Sequence, residues 1–123
     1  MKEKKEAERI AILTCLHSND VCTRAGCLNA FYEKKAFFEK YEPDTRLIAL
    51  MTCNGCVKER PEEPGEDPGM QEKLDRLEKE AVDAVHVGVC RLKQNGQECE
   101  RMTRICELLE QRSIRVIRGT HRE

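Results

Sequence analysis

The chain has 123 residues, 37% of them charged, with 22 Lys and Arg against 23 Asp and Glu and a formal net charge of −1. That length suits one domain with a single modest core. Without a basic excess there is no electrostatic footprint for a phosphate backbone, and nucleic acid is set aside as a partner.

Residues 1–8 form a charged lead, Met1-Lys-Glu-Lys-Lys-Glu-Ala-Glu8, that runs straight into the first apolar segment. It lacks the hydrophobic stretch of a signal peptide. No apolar run approaches the roughly 18 residues of a membrane span. The expectation is a soluble, cytoplasmic protein with no membrane partner. Its eight cysteines stand at positions 15, 22, 27, 53, 56, 90, 99 and 106. With no export signal and a pattern able to bury a core unaided, these thiols read as metal ligands or redox groups ahead of disulfides.

Arg9 to Cys15 is a short apolar run with β-branched residues, as a strand covered on both faces would be. A polar loop with Cys22, Gly26 and Cys27 follows. Leu28, Phe31, Phe38 and Tyr41 then recur at helical spacing, predicting one amphipathic helix that closes before Pro43. Arg46 to Cys53 is the second buried strand. The stretch 57–69 carries Pro61, Pro64, Gly65, Pro68 and Gly69 among acidic residues and reads as an exposed loop, a surface insertion in preference to a lid. Met70, Leu74, Leu77 and Ala81 predict a second helix, capped by Asp67 with Pro68 in its first turn. Asp83 to Cys90 is the third strand. Asn95-Gly96 marks a turn, Cys99, Met102, Cys106 and Leu109 form the stripe of a third helix, and Ile114 to Arg118 is the last strand.

The alternation β-α-β-α-β-α-β predicts an α/β fold in a single domain, residues 9–121. Its sheet would be four-stranded and parallel in the order 2-1-3-4, with helices on both faces, a Rossmann-like or flavodoxin-like three-layer sandwich. In such sheets ligands bind beyond the carboxyl ends of the strands. Cys15, Cys53, Cys90 and, slightly beyond, His121 all fall at those ends. Packing alone would scatter cysteines along strands and helices, so this convergence is the main functional signal.

Cys53-Asn-Gly-Cys56 adds a CxxC directly after a strand, where Gly55 permits the tight backbone that lets two sulfurs face one ion. The same motif serves thiol-disulfide exchange. Either Cys15 or Cys90 alone reads equally well as a small buried hydrophobe; beside a CxxC the pair reads as ligands. Cys22 and Cys27 share the edge and complete that site or form another. Cys99 is balanced between ligand and core, whereas Cys106, further along the third helix, is core. His86, among valines, reads as a buried, hydrogen-bonded histidine, and His17 as exposed. His121 is a candidate ligand or proton shuttle, with simple solvation as the alternative.

Several activities are disfavoured. A C-x5-R phosphate loop after the first strand would need arginine at position 21, which is Val21, and Arg24 lies further on. Neither G-x-G-x-x-G nor a Walker A sequence occurs, so the usual nucleotide cradles are missing. Phe31, Tyr32, Phe37 and Phe38 read as helix core and not as a stacking platform.

Taken in order, Cys22-x4-Cys27 with Gly26, Cys53-Asn-Gly-Cys56, His86 to Cys90, and Gly119-Thr-His121 resemble the CGGC-domain family over nearly the whole chain. That family is named for a central Cys-Gly-Gly-Cys, and its resemblance implies metal binding without naming an activity. Here Asn54 replaces the first motif glycine, and asparagine tolerates left-handed backbone well. The metal expected is zinc, with Cys15, Cys22, Cys27, Cys53, Cys56, Cys90 and Cys99 as candidate ligands. An iron-sulfur cluster is the nearest variant. A thiol oxidoreductase using Cys53 or Cys56, and a non-catalytic module meeting a partner through its acidic loop, are the competing classes.

Overall fold

The apolar runs become four strands, β1 (Arg9–Thr14), β2 (Arg46–Thr52), β3 (Ala84–Val87) and β4 (Arg115–Arg118), in the computed structural model of the protein, which describes residues 7–56 and 61–122. Every pairing is parallel and the order is β2-β1-β3-β4, so the predicted 2-1-3-4 sheet is the one observed. The central strands are covered on both faces, with Ile10 to Leu13 and Ala84 to Val87 all buried. That coverage explains their continuous apolar runs.

Side chains alternate between the faces as the pleat requires. Ala11, Leu13, Val85 and Val87 meet the helices α2 (Pro68–Lys79) and α3 (Glu100–Gln111), burying Leu74, Leu77, Met102, Ile105, Cys106 and Leu109. Ile10, Ile12 and Ala84 meet the helix α1 (Ala25–Glu33) through Ala30 and Phe31. A register shift between Ile10 and Ala11 against β2 lets both Ile48 and Ala49 pack on the α2/α3 side. The alternation then carries on through Met51 to Cys53, which is buried in that same core.

Three expectations need correction. The first helix does not run to Tyr41. It ends at Glu33, where Lys34 turns left-handed (φ 55°) and the following backbone N–H groups return to Ala30 and Phe31, and Ala36–Phe38 forms a separate 3-10 turn. The break lets Phe38 meet Phe31 edge-on at 5.6 Å between centroids, which a continuous helix would prevent, and it leaves Tyr32 and Phe37 exposed and not in the core. The third strand stops at Val87, because Val89–Arg91 coils into a 3-10 turn that carries Cys90. Finally, the proline-rich stretch is not wholly exposed: residues 57–60 lie outside the described residues, but Pro64 and Asp67 are buried, and Pro68 and Gly69 already belong to α2. Asp67 caps α2 as predicted, its Oδ1 accepting from the Gly69 N–H at 2.9 Å. Among the described residues no helix is long and apolar enough to cross a membrane.

Candidate functional site

Each of the first three strands hands a cysteine to its carboxyl end. The parallel ladder continues one step past the strands: the Cys53 N–H donates to the Thr14 carbonyl at 3.2 Å and the Gly88 N–H to the Leu13 carbonyl at 3.0 Å. Cys15 and Cys53 are therefore neighbours across β1 and β2. Cys90 closes from the other side, its Sγ accepting from the Cys15 backbone N–H at 3.1 Å. Gly88 packs against it, a Cβ there standing 3.4 Å from the Cys90 sulfur, in van der Waals contact.

A second group sits at the same edge over α1. Cys27, buried in the first turn of that helix, places its sulfur 3.1 Å from Thr120 Oγ1 and 3.8 Å from His121 Nδ1, both just beyond β4. Gly26 packs flat beneath the imidazole, and a Cβ would lie 3.1 Å from three atoms of the ring. The His121 side chain is otherwise exposed.

Electrostatics tie the groups together. Burial raises the Cys15 thiol pKa above its ordinary value, and the neighbouring Cys53 and Cys90 raise it further, against backbone hydrogen bonds from His17 and Ser18. Burial likewise raises Cys27, the Thr120 hydroxyl opposes this, and Cys90 and Cys22 add to the rise. Cys90 is thus the shared neighbour of both groups. At Cys15 and Cys27 the nearby sulfurs thus add to the effect of burial, as like charges in a partly dry site do.

The remaining candidates are less closely joined. Cys22 is exposed and accepts from the Arg24 N–H at 3.3 Å. Cys56 is exposed at the end of the CxxC. Cys99 precedes α3, packs against the core, and donates its N–H to the Arg91 carbonyl at 2.8 Å. Cys106 is core, and burial pushes its thiol up to about 11. His86 is the buried, partnered histidine expected, between Tyr41 Oη and the Gly119 carbonyl, each at 2.8 Å.

Two features were hidden from the sequence. Arg24, discounted for its spacing, swings back over the strand end: its Nη2 donates to Thr14 Oγ1 at 2.7 Å and its Nη1 to the Cys22 carbonyl at 3.0 Å. The 3-10 turn over Leu16–Asp20 and a left-handed Arg24 (φ 68°) shorten the loop, and no local motif announces either. Asn54 does more than tolerate its left-handed conformation (φ 71°). Its Oδ1 accepts from Lys73 Nζ at 2.5 Å and its Nδ2 donates to Asp67 Oδ2 at 3.3 Å, fastening the CxxC turn to the start of α2. A glycine at that position would lack both bonds.

Among the described residues no three cysteine, histidine or carboxylate groups are arranged to hold one ion. The donor chemistry nonetheless suits a soft or borderline cation, being sulfur with one imidazole. The class defined by fold and edge is a parallel α/β domain with a thiol-rich carboxyl edge. A family model described as the CGGC domain matches residues 9–121, and the chain belongs to that family. No curated protein and no solved structure matches it.

Proposed function

We propose that this protein binds a thiophilic metal ion, zinc, at the carboxyl edge of the sheet. The observation that carries the reading is the gathering of Cys15, Cys53 and Cys90 from three adjacent strand ends, with Cys90 also neighbouring Cys27. A divalent cation at such a cluster ligates the deprotonated sulfurs and releases their protons, which would offset the raised pKa of Cys15. Cys15, Cys53 and Cys90 would hold the ion. Cys56 supplies the second sulfur of the CxxC, and Cys27 and His121 stand beside the set. When bound, zinc would act as a brace or as a Lewis acid. Arg24 holds the loop after β1 against Thr14, and Asn54 and Asp67 hold the CxxC turn, so the backbone that carries Cys15 and Cys53 is fastened at the sheet edge.

Elemental analysis and a visible spectrum of untagged protein prepared without oxygen test the reading. The expected result is stoichiometric zinc in a colourless protein, lost in Cys90→Ala and retained in Cys106→Ala. Iron with visible absorption would assign the same thiols to an iron-sulfur cluster. Absence of both metals, together with a reversible Cys53–Cys56 disulfide, would replace metal binding by thiol exchange.

A further inference from the structure

Arg9, Arg91, Arg112 and Arg118 each pair with a carboxylate of a neighbouring segment. Arg24, at the thiol edge, does not. It is partly buried, and the acceptors on its guanidinium are all neutral: Nε and Nη2 both donate to Thr14 Oγ1, at 3.1 and 2.7 Å, and Nη1 donates to the Cys22 carbonyl at 3.0 Å. Nη2 also lies 3.5 Å from the Cys15 carbonyl. Among the described residues no carboxylate pairs with Arg24.

The group is held in place. Thr14 is buried at the last position of β1, and two bonds converge on its one oxygen. The backbone of Arg24 is left-handed (φ 68°), a conformation that strains a residue with a Cβ and here turns the side chain back over the strand end. A positive charge is thereby fixed one residue from Cys15, at the edge where three strand ends deliver sulfur. A charge taken partly out of water is costly without a counter-charge. The ionisable groups beside Arg24 are sulfurs: its backbone N–H donates to Cys22 Sγ at 3.3 Å, and its charge opposes the rise that burial causes at Cys27.

We propose that Arg24 is the counter-ion of a metal-thiolate centre at the strand ends, a residue that touches no metal and matches the net negative charge of the occupied site. The assignment rests on the metal reading of these thiols and adds which charge the edge is built to hold. Three thiolates on a divalent ion carry one net negative charge, equal and opposite to that of the guanidinium. Three thiolates on a trivalent centre carry none, and Arg24 is then without effect on affinity.

Two probes that take the same sulfurs and differ in charge test this. Zinc on three thiolates gives a negative complex. Arsenous acid exchanges its three hydroxyls for three sulfurs, each hydroxyl leaving as water with a thiol proton, and gives a neutral one. Both are titrated into the reduced full chain at fixed pH and ionic strength, zinc against a chromophoric chelator and arsenous acid by the ultraviolet absorption of its sulfur bonds. Arg24→Gln, which keeps a donor and loses the charge, should weaken zinc about tenfold and leave arsenous acid within about twofold of wild type. Arg24→Lys should recover most of the zinc affinity. Weakening of both probes in Arg24→Gln would mean that the side chain only shapes the loop. Undiminished zinc affinity in Arg24→Gln, or no recovery in Arg24→Lys, would mean that its charge is not used. Each of these results overturns the assignment and leaves the metal reading standing. A wild type that fails to bind zinc would overturn the metal reading, and the assignment with it.

Discussion

The face of the sheet beneath α2 and α3 is filled by Leu74, Leu77, Met102, Ile105 and Leu109, whereas the face beneath α1 buries His86 between Phe38 and Tyr41 and ends in the Cys27, Thr120 and His121 contacts. Burial on the first face is apolar and non-directional, so it contributes stability with little demand on geometry. Burial on the second is conditional, because each polar group needs its named partner. The contrast explains where chemistry can be placed. The thiol group around Cys27 belongs to the α1 side, and the α2/α3 side anchors Cys53 and the start of the CxxC turn.

Five substitutions or treatments sharpen that contrast. Leu74→Ala, on the apolar face, should cost about 2 to 5 kcal/mol in chemical denaturation without altering metal content, since a fully buried leucine leaves a cavity. A loss of less than about 1 kcal/mol would mean that this face is not the main source of stability. Metal removal comes next: for a free metal concentration 100-fold above the dissociation constant, chelation should lower stability by about 2.7 kcal/mol. Far-ultraviolet circular dichroism should persist, because both cores remain, and hydrogen exchange should rise at residues 22–27 and 53–56. Global unfolding on chelation would make the metal a condition of the fold.

Tyr41→Phe, on the conditional face, should cost about 1 to 3 kcal/mol by leaving the buried His86 Nε2 unpaired. The same histidine gives a pH dependence. Burial lowers its folded-state pKa, so below the ordinary value of 6.5 the unfolded chain takes up the proton first. Its contribution to stability is complete above that value and is lost as the pH falls toward the folded one. Denaturation curves at pH 7.5 and about 5.5 should differ more in the wild type than in His86→Gln; equal differences would place the titration elsewhere. The smallest effect expected is Cys106→Ala, about 1 kcal/mol for a small group in the apolar core, with metal content unchanged.

The sequence alone determined what short-range pattern can encode. Apolar runs with β-branched residues marked the four strands, the spacing of Met70, Leu74 and Leu77 marked α2, and Asp67 before Pro68 marked its cap. The βα alternation then implied the parallel 2-1-3-4 order, because right-handed crossovers admit few topologies. The cysteines at strand ends and the core position of Cys106 follow from the same periodicities. Only tertiary structure decided the rest. Lys34 turns left-handed so that Phe38 can reach Phe31 and His86. Arg24 returns to Thr14, and Cys90 receives a hydrogen bond from Cys15, 75 residues away in the chain. A cavity bordered by Tyr41, Thr45 and Arg115 likewise joins segments distant in sequence. Contacts of that span depend on how loops close over a finished sheet, and no local propensity carries that information.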